Sequence, residues 1–147
     1  MLPNEKNDLM YLLNIIEYIG KIWNYPKNIK DAEDLYEKDN QMVFNASLTL
    51  LANIGENVSK ISDKTKQDFS DIERQKIKDF RNRIVHDYIG LDLVVVYDII
   101  TIELPRIKPL IEKIIRNRLE LQIFDIEEVK LCENSSYYRH VDFEILK

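Results

Sequence analysis

Apolar residues recur along the chain every three or four positions, which predicts helices rather than strands. The first helix is expected to begin at Asn7 or Asp8, either of which could cap it, and to end before Pro26. Its apolar positions are Leu9, Leu12, Leu13, Ile16, Ile19 and Trp23. A short acidic helix should follow at about 31–38, and a second long helix at about 40–61. The stripe of that long helix comprises Val43, Ser47, Leu50, Ile54, Val58 and Ile61.

A third helix is predicted at about 72–88, after a polar connection at 62–71. Its apolar stripe comprises Ile77, Phe80, Ile84 and Tyr88, and Gly90 should end it. With a rotation of ~100° per residue, His86 lies roughly opposite this stripe. Asn82 precedes His86 by one turn on the same side, and Arg81 lies at the edge of the stripe.

The segment 91–104 combines features of a strand and of a helix. Its β-branched residues at 93–97 resemble a buried strand, but Asp92 can cap a helix and the apolar run continues to Leu104. We expect a helix that is buried on most sides, is interrupted at Pro105 and continues over 106–120. A helix that is apolar on most faces needs cover from a partner subunit, which indicates a homodimer.

The C-terminal residues show no helical stripe after Leu121. Apolar and polar residues alternate over 141–145, which suggests a short strand or an arm on a partner. The expected architecture is therefore all-α, an antiparallel and dimeric helical bundle with an irregular C-terminal tail. We divide the chain into a helical domain at 1–120 and an extension at 121–147.

Composition narrows the functional classes. The chain has 147 residues, of which 45% are hydrophobic, with one Cys and two His. These values exclude a disordered chain, a disulfide scaffold and a multi-histidine metal site within one subunit, so no metal is expected. No apolar run reaches the ~20 residues of a membrane span, and the N-terminus lacks the pattern of a signal peptide, so a cytoplasmic protein is expected.

Charge is unevenly distributed along the chain. The net charge of −5 argues against a general nucleic-acid coat. Residues 60–83 nevertheless carry eight basic side chains against five acidic ones, between two acidic segments. Exposed helix faces are the commoner explanation of such a distribution.

The densest polar cluster is the string Arg-Asn-Arg-Ile-Val-His-Asp-Tyr at 81–88. A histidine can exchange protons near neutral pH, and an arginine can hold a phosphate through two parallel hydrogen bonds. Together with the amide of Asn82 they could bind a phosphodiester, and Tyr88 could add a hydroxyl or a stacking face. On periodicity alone, ordinary surface side chains and a core tyrosine are the commoner explanation of the cluster.

This string resembles the Arg-x4-His-x-Tyr signature of HepT-type toxins, in the HEPN superfamily of small helical proteins. Gly55-Glu56 resembles the Gly-Glu step of the family, and 88–92 and Leu104-Pro105 also match its pattern. The resemblance extends over roughly 8–115.

The resemblance implies a ribonuclease that needs neither metal nor cofactor and works as a homodimer with a shared cleft. His86 would act as general base on a ribose 2′-OH or as acid to the leaving oxygen, and Arg81 would stabilise charge on the phosphate. Asn82 would orient His86, and Glu56 would pair with a basic group in the cleft. The chain would be the toxin of a type II/VII-like toxin–antitoxin pair. Its partner would be an MNT-type nucleotidyltransferase antitoxin that adds AMP to Tyr88.

Two other functions remain open at this point. The chain could be a non-catalytic module that binds nucleotides or accompanies a nucleotidyltransferase, or a purely structural dimerising protein. The presence of both Arg81 and His86 favours the nuclease.

Overall fold

The computed structural model describes residues 5–25, 28–70, 74–75, 78–79, 82 and 92–147. Every regular element in these ranges is helical, which confirms the all-α prediction. A 3₁₀ turn at Glu5–Asn7 is followed by α1 (Asp8–Asn24), α2 (Ala32–Glu37), α3 (Met42–Lys60), α4 (Asp63–Lys66), α5 (Leu93–Asp98), a π-helix (Ile99–Glu103), α6 (Leu104–Glu120), α7 (Ile126–Glu133) and α8 (Phe143–Leu146).

Helices α1 and α3 pack antiparallel at the centre of the molecule. At the start of α1, the carboxylate of Asp8 accepts hydrogen bonds from the backbone N–H (2.9 Å) and hydroxyl (2.6 Å) of Ser62, just after α3. Further along, Asn14 Nδ2 donates to Asn57 Oδ1 at 3.1 Å. Asn7 therefore occupies the predicted N-cap position of α1, but it makes no side-chain capping bond, and Asp8 holds Ser62 instead.

The second neighbour of α1 is α6, which also runs antiparallel to it. Arg118 Nε, near the end of α6, lies 3.2 Å from Glu5 Oε1, before the start of α1. At the opposite end, the indole Nε1 of Trp23 donates to the Ile100 carbonyl at 3.1 Å. Trp23 is thus not the core residue that its spacing predicted. It is 38% exposed, and Ile22 takes the buried position.

The segment 93–104 is helical, as predicted, but within this chain it buries only one stripe. Val96, Ile100 and Leu104 face the core at a spacing of four residues. Val94 and Ile102, which lie off this stripe, are 56% and 52% exposed. The prediction of burial on most sides is therefore wrong for the chain by itself.

The predicted interruption at Pro105 takes the form of the π-helix that precedes it. The N–H of Leu104 bonds to the carbonyl of Ile99, five residues back. The carbonyl of Ile100 would be paired with residue 105 in the same pattern, but proline has no N–H. Trp23 supplies the missing donor. A side chain of α1 thus satisfies a backbone group that the helix leaves without a partner.

The C-terminal tail packs on the core of its own chain. Its buried apolar residues, which belong to the same hydrophobic cluster as α1, are Phe124, Val129, Phe143 and Leu146. The strand or arm suggested for 141–145 is therefore wrong. Asp142 caps the helical turn α8, and Phe143 and Leu146 share its buried side. The boundary between 1–120 and 121–147 stays a prediction.

The region between α3 and α5 is described at fewer positions. The predicted polar connection at 62–71 contains the short helix α4, capped by Ser62. Of the predicted third helix, residues 74–75, 78–79 and 82 are helical. Arg81, His86 and Tyr88 lie outside the described residues. Among the residues that are described, each helix is too short or too polar to cross a membrane.

Candidate active site

Glu56 lies in the C-terminal half of α3, next to buried Gly55. It is half-buried, whereas Lys60, one turn later on the same side, is exposed. The neighbouring Asn57 is buried; its Nδ2 donates to the Asn53 carbonyl at 2.8 Å, and its Oδ1 accepts from α1. The bond from Asn14 joins α1 to α3 at the residue next to Glu56.

Asn82 belongs to a polar stripe with Gln75 and Asp79, at spacings of four and three residues. Gln75 Nε2 donates to Asp79 Oδ1 at 2.7 Å, as expected for neighbours on one helix face. Gln75 and Asp79 are exposed, but Asn82 is half-buried. The stripe therefore passes from open surface to covered surface as it approaches the predicted site.

Of the five predicted site residues, two can be located. Glu56 and Asn82 are both helical and half-buried, which suits polar groups at the wall of a cleft. Arg81, His86 and Tyr88 fall outside the described part of the chain. Where the structure is described, no group of three or more His, Cys, Asp or Glu side chains is placed to hold a metal ion.

A second polar cluster joins α1 to the C-terminal tail. We call it the tail cluster, and its residues are Asn14, Glu17, Tyr18, Tyr137, Tyr138 and His140. The carboxylate of Glu17, which has no exposed surface, accepts from His140 N through Oε1 and lies 2.7 Å from His140 Nδ1 through Oε2. Tyr138 OH donates to Asn14 Oδ1 at 2.7 Å. Gly20 makes the close approach possible, since a Cβ there would lie 2.2 Å from that of His140.

Two tyrosines of the tail cluster, Tyr18 and Tyr138, have pKa values above the ordinary value of a phenol. The hydroxyls of Tyr18 and Tyr137 are 2.7 Å apart. Burial, together with the hydrogen bond to Tyr137, raises the pKa of Tyr18 to about 12. Burial also raises the pKa of Tyr138 above its usual value. This cluster was not predicted from the sequence, although a glutamate between Ile16 and Ile19 on a core helix was a signal for a buried partner.

A family model described as ribonuclease HepT-like matches residues 15–114. The chain belongs to the HepT-like ribonuclease family. The resemblance noted from the motif at 81–88 is thereby confirmed, and the matched HepT-like region includes all five predicted site residues.

Three similar proteins come from Methanocaldococcus jannaschii. The one named "Putative RNase MJ1216" is 31% identical over 107 residues, which is 73% of this chain and 86% of that protein. "Putative RNase MJ0125" is 30% identical over 107 residues, 73% of this chain and 90% of that protein. "Putative RNase MJ1380" is 26% identical over 102 residues, 69% of this chain and 91% of that protein. No solved structure matches the chain significantly.

The HepT-like match ends at residue 114, before the tail begins. The matched region therefore excludes three residues of the tail cluster: Tyr137, Tyr138 and His140. Glu17 and Gly20, which receive them, lie within it.

Proposed function

We propose that this HepT-like chain is a metal-independent endoribonuclease and the toxin of a type II/VII-like toxin–antitoxin pair. The observation that carries the proposal is the family match, which covers the whole Arg-x4-His-x-Tyr string at 81–88. The half-buried Asn82 on an otherwise exposed stripe supports it, because a covered polar position is what a site at that end of the helix requires.

In the proposed reaction, His86 removes the proton from a ribose 2′-OH, and the 2′-oxygen attacks the adjacent phosphorus. The bond from phosphorus to the 5′-oxygen breaks, and that oxygen takes up a proton from water as it leaves. Arg81 stabilises the negative charge that develops on the phosphate oxygens. The products are a 2′,3′-cyclic phosphate and a 5′-hydroxyl, and the step needs no metal.

Three further residues, Asn82, Lys60 and Glu56, are assigned supporting roles in this reaction from their positions. Helical spacing puts His86 four residues after Asn82, so the amide can orient the imidazole. Lys60 is exposed one turn after Glu56 on α3 and can meet an RNA phosphate. We propose that Glu56 pairs with a basic group of the cleft and keeps it in place.

The decisive test is cleavage of a fluorogenic RNA by purified protein in excess EDTA. Arg81→Ala and His86→Ala should each lose most activity, whereas Lys78→Ala, at an exposed basic position three residues before Arg81, should keep it. An oligonucleotide of the same sequence with 2′-deoxy sugars should not be cleaved, because it lacks the attacking 2′-OH. In cells, wild type should slow growth and both motif variants should not. Equal activity of wild type, Arg81→Ala and His86→Ala would refute the nuclease.

We propose that the enzyme works as a homodimer whose cleft is shared. Val94, Val95 and Ile102 are apolar and exposed on the helical segment 93–103, which supports an interface there. Specific dimers typically bury ~1,600 Å² in total. Sedimentation should give twice the 17.5 kDa chain mass, and Val94→Asp should shift the protein to monomer. A monomeric wild type would exclude the shared cleft.

We further propose that an MNT-type nucleotidyltransferase antitoxin silences the enzyme by adding AMP to Tyr88. The added phosphate would compete with RNA for Arg81 and block the approach to His86. After incubation with the partner and ATP-Mg²⁺, intact mass should show added AMP on wild type and none on Tyr88→Phe. Modification of Tyr88→Phe, or cleavage by the modified wild type, would contradict this mechanism.

A further inference from the structure

A cavity of about 330 Å³ lies between the end of α1, the start of α3 and the π-helix. This volume is at the lower end of the range for small-molecule sites, roughly 300–1,000 Å³. Its described lining is mostly apolar, including Ile29, Leu35 and Ile100, and two aromatic side chains, Trp23 and Tyr97, also contribute. Among the described residues that line it, none carries a charge.

One polar group of the cavity lacks a partner. Ser47, on the core stripe of α3, has no exposed surface, and its Oγ makes no hydrogen bond with the described residues. The other polar side chains of the described lining are engaged: Trp23 Nε1 with the Ile100 carbonyl, Tyr97 OH with the Lys30 carbonyl, and Thr101 Oγ1 with the Tyr97 carbonyl. A buried hydroxyl without a partner costs stability, so a ligand that pairs with it would explain its presence.

The wall of the cavity is also irregular. Ile100 and Thr101 line it from the π-helix, a type of distortion that is frequent at functional sites. The rim carries a positive charge, because Lys108 Nζ lies 5.6 Å from the centroid of the Trp23 ring. An uncharged interior, aromatic walls, one free hydroxyl and a cation at the rim together define the chemistry that fits.

We infer that this cavity binds a neutral, planar heteroaromatic ring with a hydrogen-bonding edge, which is the chemistry of a nucleobase. The ring would stack on Trp23 or Tyr97, its edge would pair with Ser47 Oγ, and any attached phosphate would remain outside near Lys108. Ser47 and Glu56 are nine residues apart on α3 and so face opposite sides of the helix, which separates this cavity from the proposed nuclease residue. The inference does not depend on the nuclease.

The protein contains a single tryptophan, Trp23, so its fluorescence reports on the cavity directly. Full-length protein is titrated with adenosine and, separately, with an uncleavable 2′-O-methyl RNA oligonucleotide. Saturable quenching by adenosine supports a free small molecule as the ligand, and quenching by the oligonucleotide alone supports a base presented by a strand. Absence of saturable quenching by both probes overturns the inference.

Ser47→Ala, which keeps Trp23, supplies the specific test. It should weaken binding by roughly three- to tenfold, the effect of one lost hydrogen bond, while its urea midpoint stays equal to or above that of wild type. Ser59→Ala, at an exposed position of the same helix, should change neither quantity. Unchanged affinity of Ser47→Ala would overturn the inference. Arg81→Ala should bind adenosine as wild type does, so a failed nuclease and a failed cavity site remain distinguishable.

Discussion

His140 and Glu17, 123 positions apart in the chain, form a double contact in the tail cluster. The backbone N–H of His140 donates to Glu17 Oε1, and His140 Nδ1 lies 2.7 Å from Oε2. Both oxygens of a fully buried carboxylate are thus occupied by one residue of the tail. Because a buried carboxylate without partners is costly, this contact holds the tail on α1 more specifically than apolar packing alone would.

We predict that His140→Ala lowers the free energy of unfolding by about 2 kcal/mol, since Glu17 then keeps only the backbone donor. Urea unfolding followed by circular dichroism measures the change. Arg139→Ala is the control, because Arg139 is exposed beside His140 and, among the described residues, its side chain bonds to the Ser136 carbonyl alone. If the two variants lose the same stability, the pair is not what holds the tail.

The helices of the bundle could be predicted from the sequence because apolar spacing alone determines them. α1 and α3 end within two residues of the predicted boundaries for this reason. The tail could not be predicted in the same way. Its two helices are short, and their buried residues join a hydrophobic cluster that includes α1 and α3, which are distant in sequence. Similarly, the exposure of Val94 depends on which elements pack beside α5, and the apolar pattern of residues 93–104 does not show this.

The phenols of the tail cluster lead to a prediction at alkaline pH. The pKa of Tyr18 is about 12 in the folded protein against an ordinary value of 10.0. Its raised pKa means that the unfolded chain loses the phenol proton first as the pH rises. The contribution to stability is therefore complete below pH 10 and is lost as the pH rises through 12.

Urea midpoints measured across this pH range should fall less steeply for Tyr18→Phe than for wild type. Tyr25→Phe serves as the matched control, because Tyr25 is 43% exposed, and its slope should equal that of wild type. Parallel slopes for Tyr18→Phe and wild type would show that Tyr18 does not contribute to the alkaline loss.

A third prediction concerns the carbonyl of Ile100, which the π-helix and Pro105 leave to the indole of Trp23. Trp23→Phe removes this donor and should cost about 1 kcal/mol of stability from the hydrogen bond alone. In Pro105→Ala, residue 105 gains a backbone N–H. This N–H can replace the Trp23 indole as the donor to the Ile100 carbonyl, five residues earlier. In the Pro105→Ala background, the cost of Trp23→Phe should therefore fall.

A double-mutant cycle on these two positions, followed by circular dichroism, measures the coupling. We expect about 0.5–1 kcal/mol, as for residues that share one partner. Strictly additive effects would mean that the indole and residue 105 do not compete for the Ile100 carbonyl.

The motif at 81–88 could be recognised from the sequence, whereas the surroundings of Ser47 could not. The motif at 81–88 was recognisable because its residue types and spacing are distinctive, and the family match confirms the resemblance. Ser47 was assigned to a core stripe by its spacing, and that position is correct. That its hydroxyl would lack a partner beside a cavity depends on α1 and the π-helix, which no local pattern of α3 encodes.

Asn82 shares a helix face with Gln75 and Asp79 but is less exposed than either. If Asn82 orients the imidazole of His86, Asn82→Ala should lower kcat for RNA cleavage by roughly 10- to 100-fold, the usual cost of a misplaced catalytic group. KM should change little, because the amide is not proposed to bind RNA. Gln75→Ala is the matched control, since Gln75 lies two turns earlier on the same stripe but is exposed. Steady-state kinetics on a fluorogenic RNA gives both constants. Should Gln75→Ala impair kcat as strongly as Asn82→Ala, or should Asn82→Ala raise KM alone, the amide does not position His86.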